Sequence, residues 1–298
     1  MELSLRTYPQ NEKMSKITIE NVSYEYSAKT PFAVKALNNI NLSIDSNKVT
    51  GIIGHTGSGK STLVQMLNGL VKPDSGRILL DGKDIWEKPK EIGKIRFRVG
   101  LVMQYPEYQL FEETVKADIS FGPKNMGLDA EEIDKRVMQS VDFVGIEKDL
   151  LNKSPFDLSG GEKRRVAIAG IMAMSPEVLV LDEPAAGLDP SGRKIIFEGI
   201  KKYKESTGAA VIIVSHSMED MAKYCDEIIV MSKAEVYMHG ERDYVFSHSA
   251  ELEKIGLDIP QITKLMMILS DRGVSVPTSV YTVDDAEKVI AALFGGVK

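Results

Sequence analysis

Gly54-His55-Thr56-Gly57-Ser58-Gly59-Lys60-Ser61 fits the pattern G-x4-G-K-[ST], a set of residue types suited to holding a polyphosphate. Glycines let successive backbone N–H groups turn inward around phosphate oxygens, and a helix starting where the loop ends adds its positive N-terminus. Lys60 then neutralises the β and γ phosphates, and the Ser61 hydroxyl binds Mg2+. The cofactor-binding stretch runs on through Thr62. His55 stands at a variable position of the loop, where it is more simply a bystander in the turn.

A second constellation is Val178-Leu179-Val180-Leu181-Asp182-Glu183, an apolar run ending in two adjacent carboxylates. If a strand continues through both, they point to opposite sides, and one can serve a metal while the other serves water. Asp182 is assigned to Mg2+, through water, and Glu183 to the base that orients or deprotonates the attacking water. Taken alone, such a stretch is a strand ending in solvated acids. A third is Leu158-Ser159-Gly160-Gly161-Glu162, followed by Lys163-Arg164-Arg165-Val166. A serine and two glycines before a helix make another anion-binding helix N-terminus. One nucleotide site does not need two.

These groups need a scaffold, and the hydrophobic pattern supplies one. Residues 17–26 and 40–44 alternate apolar and polar, predicting an antiparallel region. Residues 49–53 form a short apolar run that meets the glycine-rich loop, and Leu63, Met66, Leu67 and Leu70 follow at helical spacing. Two more apolar runs, 178–181 and 210–214, lead straight into polar residues, as in a parallel sheet whose strand ends form a site. The fold class is α/β. Between about 111 and 174 the pattern turns helical, with Ile133, Val137, Val141 and Val144 near one face, which predicts an inserted helical subdomain. Helices over 262–269 and from near Thr282, with Val283, Ala286, Val289, Ile290 and Leu293 on one side, predict a small C-terminal appendage over 241–298. Residues 1–13 read as a tail, and Met14 is a second candidate start.

Composition narrows the function classes. The 298 residues, 43% hydrophobic and 27% charged, describe an ordinary soluble globular protein. Against 43 acidic residues stand 37 basic ones, a formal charge of −6 with no long block of either sign. That disfavours a coat on nucleic acid. The single cysteine, Cys225, makes an internal disulfide impossible. No apolar run approaches the roughly 18 to 20 residues needed to cross a bilayer. Met1-Glu2-Leu3-Ser4-Leu5-Arg6 lacks the basic start and apolar stretch of a secretory signal, so a location inside the cell is expected.

The order of these motifs resembles that of the nucleotide-binding subunits of ATP-binding cassette (ABC) transporters, whose signature is Leu-Ser-Gly-Gly-Gln or a close variant. The resemblance covers about residues 16 to 240 and implies a P-loop NTPase (RecA-like) core with ATP and Mg2+ as cofactors. It places the ABC ATPase domain at 14–240. By the same resemblance Tyr26 stacks on adenine and Gln104 links Mg2+ to a membrane-facing groove. Gly187-Leu188-Asp189 is the loop that crosses a dimer interface, and His216 contacts the γ-phosphate. Tyr24, two residues away on the same strand face, competes with Tyr26 for the base; alignment to the family motif favours Tyr26. Glu162 in place of glutamine, Ala185 in place of Ser or Thr, and Ala234 in place of a turn glycine are departures that touch local geometry.

The stretch from Gln104 through Tyr105-Pro106-Glu107-Tyr108-Gln109-Leu110-Phe111 to Thr114 narrows the match. It resembles the second member of the paired ATPases of energy-coupling factor (ECF) importers of vitamins or transition-metal ions. In that group a short helix after the glutamine contacts the groove that receives the transmembrane coupling protein; the bland account is a loop and helix start with exposed aromatics. The resemblance implies a heterodimer with a second ATPase, a transmembrane coupling protein and a substrate-binding membrane subunit. It also implies a peripheral position at the cytoplasmic face of the cell membrane. Each ATP then lies between the Lys60 loop of one chain and the Ser159 signature of the other. Two rivals are a soluble ABC ATPase of DNA repair or translation, which usually carries long coiled coils, tandem cassettes or a basic stripe, and a regulatory module without turnover, expected to lose Glu183 or His216. The solute is not legible in an ATPase subunit, and stacking on Tyr26 does not reject GTP.

Overall fold

The computed structural model describes residues 17–293. The expected tail at 1–13, the candidate start Met14 and the end of the expected appendage at 294–298 lie outside them. The chain opens with β1 (Ile17–Tyr26) and β2 (Val34–Ile44), then β3 (Val49–Ile53) and α1 (Lys60–Leu67). β4 (Ser75–Leu80), β5 (Lys83–Asp84), α2 (Ile92–Arg98) and β6 (Val99–Val102) follow. Next come α3 (Val115–Asn125), α4 (Ala130–Val144) and α5 (Gly160–Ala173), then β7 (Val178–Asp182), α6 (Pro190–Thr207) and β8 (Ala210–Val214). The last elements are α7 (Met218–Tyr224), β9 (Glu227–Ser232), β10 (Glu235–Glu241), α8 (Arg242–Ser247), α9 (Ser249–Lys254), α10 (Gln261–Asp271) and α11 (Val283–Leu293).

Two sheets divide the strands. An antiparallel sheet runs β2-β1-β4-β5, and a six-stranded sheet runs β10-β9-β3-β8-β7-β6, parallel except for β10. Every residue of β6, β7 and β8 is buried, which explains why 178–181 and 210–214 read as unbroken apolar runs; β6 is not among the strands read from the sequence. Period 2 survives in the packing. Val178 and Val180 join one core with Ile52, Ile212, Leu63 and Met66, while Leu179 and Leu181 join the other with Ile53, Ile213 and the helices beyond. The first core sits under the antiparallel sheet and α1, the second under α3 to α7. A parallel sheet covered on both faces aims its only exposed features, the strand ends, at one edge.

Local signals set the helix boundaries. Thr114 and Asp129 cap α3 and α4 by accepting from the N–H groups of Ala117 and Glu132, and Gly145 closes α4 in the left-handed region. Ile133, Val137, Val141 and Val144 all face the second core. Elsewhere the expectations need adjustment. β2 begins at Val34 rather than 40, because a bulged register lets its irregular first half pair with β1. α1 stops at Leu67; Gly69 turns the chain at φ +72° and Leu70 is left exposed. In α11, capped by Thr282, Ala286 is buried but Val283 and Leu293 face outward.

α6 crosses α4 so closely that a β-carbon at Gly199 would lie 2.1 Å from the Phe143 carbonyl oxygen. Gly199→Ala is therefore expected to destabilise the fold by about 1–3 kcal/mol through overpacking. Gly93→Ala, on α2 with open space around it, should stabilise by about 0.5–1 kcal/mol through unfolded-chain entropy and helix propensity. Urea midpoints at unchanged slope check both signs.

Candidate active site

The loop between β3 and α1 is built around positions where no β-carbon fits. Gly54 lies at φ +156°, where a Cβ would meet the Met231 carbonyl oxygen at 2.4 Å; Gly59 lies at φ +103°, with the Ala36 carbonyl oxygen at 2.3 Å. The loop therefore rests directly on the backbone of β2 and the β9 hairpin. Lys60, the first residue of α1, is buried, and its ammonium donates to the carbonyls of Gly54 at 2.7 Å and His55 at 3.1 Å. Burial pulls its pKa down, while Asp182 and Glu183 push it up. The His55 ring donates to the Thr56 carbonyl beside it at 2.9 Å.

Tyr26 ends β1 beside this loop. Its hydroxyl lies 3.2 Å from the Thr62 hydroxyl, and its ring meets Tyr24 edge-on at 4.9 Å. Tyr24 packs against the first core, whereas Tyr26 is 40% exposed. Of the two rings, Tyr26 has the open face.

Asp182 and Glu183 depart from the expected strand geometry. β7 ends at Asp182, and Glu183 turns into the left-handed region at φ +53°, its N–H donating to the Val214 carbonyl at 2.9 Å. The two carboxylates thus come to the same strand edge instead of alternating across a continuing strand. Asp182 is hydrogen-bonded to the Ser61 side chain, and burial raises its pKa against that bond and against Lys60. Burial and the neighbouring Asp182 raise that of Glu183. Its Oε2 accepts from the Ser215 hydroxyl at 3.4 Å; its Oε1 is buried with no hydrogen-bond partner among the described residues and lies 3.6 Å from His216 Nε2. His216 is half-exposed, and burial, then Lys60, lowers its pKa. A neutral imidazole follows at neutral pH.

Ser215 was missed in the sequence. It accepts from the Ser217 N–H at 3.1 Å while donating to Glu183, so it ties the turn carrying His216 to the carboxylate. Its only signal was its place at the end of an apolar strand.

The remaining motif residues stand apart. Ser159 caps α5 in a capping box: Glu162 Oε2 accepts from the Ser159 N–H at 2.8 Å and hydroxyl at 2.6 Å, and these bonds lower the Glu162 pKa. Ser159 and Gly160 are exposed, as are Gln104 and Asp189. Asp189 caps α6, accepting from the Gly192 N–H at 2.8 Å, after Gly187 turns the chain at φ +74°. Among the described residues, no hydrogen bond or ion pair joins Ser159, Gly160, Gly161, Gln104 or Asp189 to the loop at 54–61.

No cluster of three His, Cys, Asp or Glu side chains suited to a metal exists among the described residues. The donor set at Ser61 and Asp182 is nonetheless what Mg2+ accepts: one or two protein oxygens, with waters and substrate phosphates completing the octahedron.

Comparison with known proteins gives a consistent set of relatives. The sequence profile of the family described as "ABC transporter" matches residues 37–186. The "Energy-coupling factor transporter ATP-binding protein EcfA2" of Caldanaerobacter subterraneus subsp. tengcongensis is 53% identical over 282 residues, 95% of this chain and 99% of that one. Its namesake from Clostridium acetobutylicum is 50% identical over 283 residues, again 95% and 99%. Among solved structures, cbiO1 from Clostridium perfringens, described as part of the ABC transporter complex cbiONQ, superposes with a TM-score of 0.71 at 42% identity, covering 84% of this chain and 98% of that one. The ATP-binding cassette MJ0796, in a dimeric post-hydrolysis state bound to ADP and Pi, gives 0.69 at 29% identity, covering 76% and 98%.

Asp182 and Glu183 both hold their protons more tightly in the folded chain than in the unfolded one. Their contribution to stability is present below the ordinary carboxylate pKa and is lost as pH rises through the raised one. Glu183→Gln should therefore make the nucleotide-free protein more stable at neutral pH, with the advantage shrinking in acid. Denaturation midpoints at both ends of that range check it; an advantage that grows in acid contradicts it.

Proposed function

This chain belongs to the ABC transporter family of ATPases, and from that premise we propose that it energises an energy-coupling factor importer of vitamins or transition-metal ions. It pairs with a second, different ATPase and drives a transmembrane coupling protein joined to a substrate-binding membrane subunit. The observation that carries the reading is the division of the site. Lys60, Ser61, Asp182, Glu183 and His216 converge on one edge of the sheet, while Ser159 and Gly160 are exposed and, among the described residues, make no hydrogen bond to the loop at 54–61. Two such chains complete each other, the signature of one closing the phosphate loop of its partner.

Binding ATP moves the Lys60 ammonium from the Gly54 and His55 carbonyls onto the β and γ phosphates. Tyr26 takes the adenine face, and the amides from Thr56 to Thr62 surround the phosphates. Ser61, Asp182 through water, and Gln104 would hold Mg2+, which would neutralise charge developing on the γ-phosphate. Glu183 Oε1 accepts a hydrogen bond from the attacking water and takes its proton. Ser215 holds the other oxygen, and His216 contacts the γ-phosphate. Loss of that phosphate removes what both halves grip, and the halves part.

Near full-length identity to relatives named as energy-coupling factor ATPases supports the transporter class and includes the segment after Glu241, read as an appendage that extends the dimer contact. Among the described residues no helix is long and apolar enough to cross a membrane; the chain attaches at the cytoplasmic face through its partners.

Glu183→Gln is expected to keep ATP binding and slow hydrolysis by about 10²-fold or more; Lys60→Ala should weaken ATP binding itself. Equilibrium nucleotide binding and steady-state turnover separate the two, and near-normal turnover in Glu183→Gln overturns the assignment of the base. Purification of the chain in detergent should recover integral membrane proteins and a second ATPase. An active, complete transporter containing this chain only as a homodimer rules out the heterodimer.

A further inference from the structure

Arg164 lies on α5 one turn past the signature and is almost wholly buried. Its Nε and Nη2 grip both oxygens of Glu107 at 3.0 and 2.8 Å, and its Nη1 donates to the Ala186 carbonyl. The guanidinium carbon stands 5.8 Å from the centre of the Tyr105 ring. Tyr105 and Glu107 belong to the short turn Pro106–Gln109 and its cap, where Tyr105 itself lies in the left-handed region at φ +55°. Ala186 in turn donates its N–H to the Glu183 carbonyl at 3.2 Å. A β-carbon on Gly161 would touch Leu188 in the same loop at 3.4 Å. One rigid plane therefore binds three segments far apart in sequence: the turn after Gln104, the signature helix, and the loop that starts at the Glu183 base.

A buried ion pair is a poor way to gain stability, because desolvation opposes the attraction. It is a good way to fix relative position. Arginine offers a planar fork that spans a carboxylate and a carbonyl at once, which a lysine ammonium cannot do. If the turn at Pro106–Gln109 shifts while the Glu183 loop stays, the guanidinium must abandon either Glu107 or Ala186, leaving a buried charge or carbonyl unpaired. The cheaper response is for the three segments to move together.

We infer that Arg164 is a positioning residue that transmits the nucleotide state of the Glu183 loop to the turn at Pro106–Gln109. The inference rests on the reading above that this turn faces the transmembrane coupling protein. It makes the exposed rings of Tyr105 and Tyr108, which are 48% and 84% exposed, the surface whose position reports whether ATP is held.

Amide hydrogen exchange of the full chain, with and without a saturating non-hydrolysable ATP analogue and Mg2+, tests this. In the wild type the analogue should change exchange over 105–111 by roughly fivefold or more. Arg164→Gln and Glu107→Gln should each lose most of that change while analogue affinity stays as in the wild type. The double variant should lose no more than either single. A merely structural role predicts a lower melting temperature with the nucleotide-dependent change intact. Should Arg164→Gln not fold, the less buried Glu107→Gln decides alone. An undiminished change in the variants, or none in the wild type, overturns the inference. Failure to recover a membrane coupling protein strikes the proposed function instead and leaves the exchange result standing.

Discussion

Lys60 at the start of α1 is buried together with Asp182 and Glu183 at the end of β7, two strands away from β3 on the same edge of the six-stranded sheet, and their charges are only partly reconciled. The ammonium spends its hydrogen bonds on the Gly54 and His55 carbonyls, and both carboxyls are held above their ordinary range. Glu183 Oε1 is left without a hydrogen-bond donor among the described residues. Such an arrangement is costly, and under the proposed function a magnesium polyphosphate with its attacking water relieves it. The two apolar cores that cover the sheet on both faces hold these groups in place. The glycines that let the loop lie on neighbouring carbonyls serve the same end.

Ser159 shows how the second half of the chemistry is prepared. Its capping box with Glu162 satisfies amides at the start of α5 and fixes the helix end, a contribution of about 1 kcal/mol for such a cap. The glutamate at this position accepts from the Ser159 hydroxyl, so under the proposed function a phosphate arriving at Ser159 competes with Glu162 for that proton. The signature is thus capped and exposed within the single chain, which would lower the ordering cost of the proposed association.

Much of this was legible in the sequence because it depends on local spacing. The loop at 54–61, the strand at 178–182 and the buried face of α4 follow from glycine placement and from periods of 2 and 3.6. Features set by long-range contact were not. The left-handed turn at Glu183 depends on a hydrogen bond to Val214. The short β6 gains strand character only by pairing with β7. Tyr24 and Tyr26 look equivalent on one strand face until the first core claims one of them. Arg164 and Glu107 are 57 residues apart, and nothing in the local pattern of either announces the other. Ala234 takes the place of a glycine at φ +66° next to Lys233 at φ +50°; the tight β9–β10 hairpin imposes that conformation on it.

The central claim is that a complete catalytic pocket exists only across a junction between two polypeptides. Specific ATPase activity followed over successive dilutions at saturating ATP, with the association state measured at each step, tests it most directly. Activity per chain should collapse as the chains separate and return when the companion ATPase is added back. A constant rate per chain from a preparation shown to be monomeric would contradict the account.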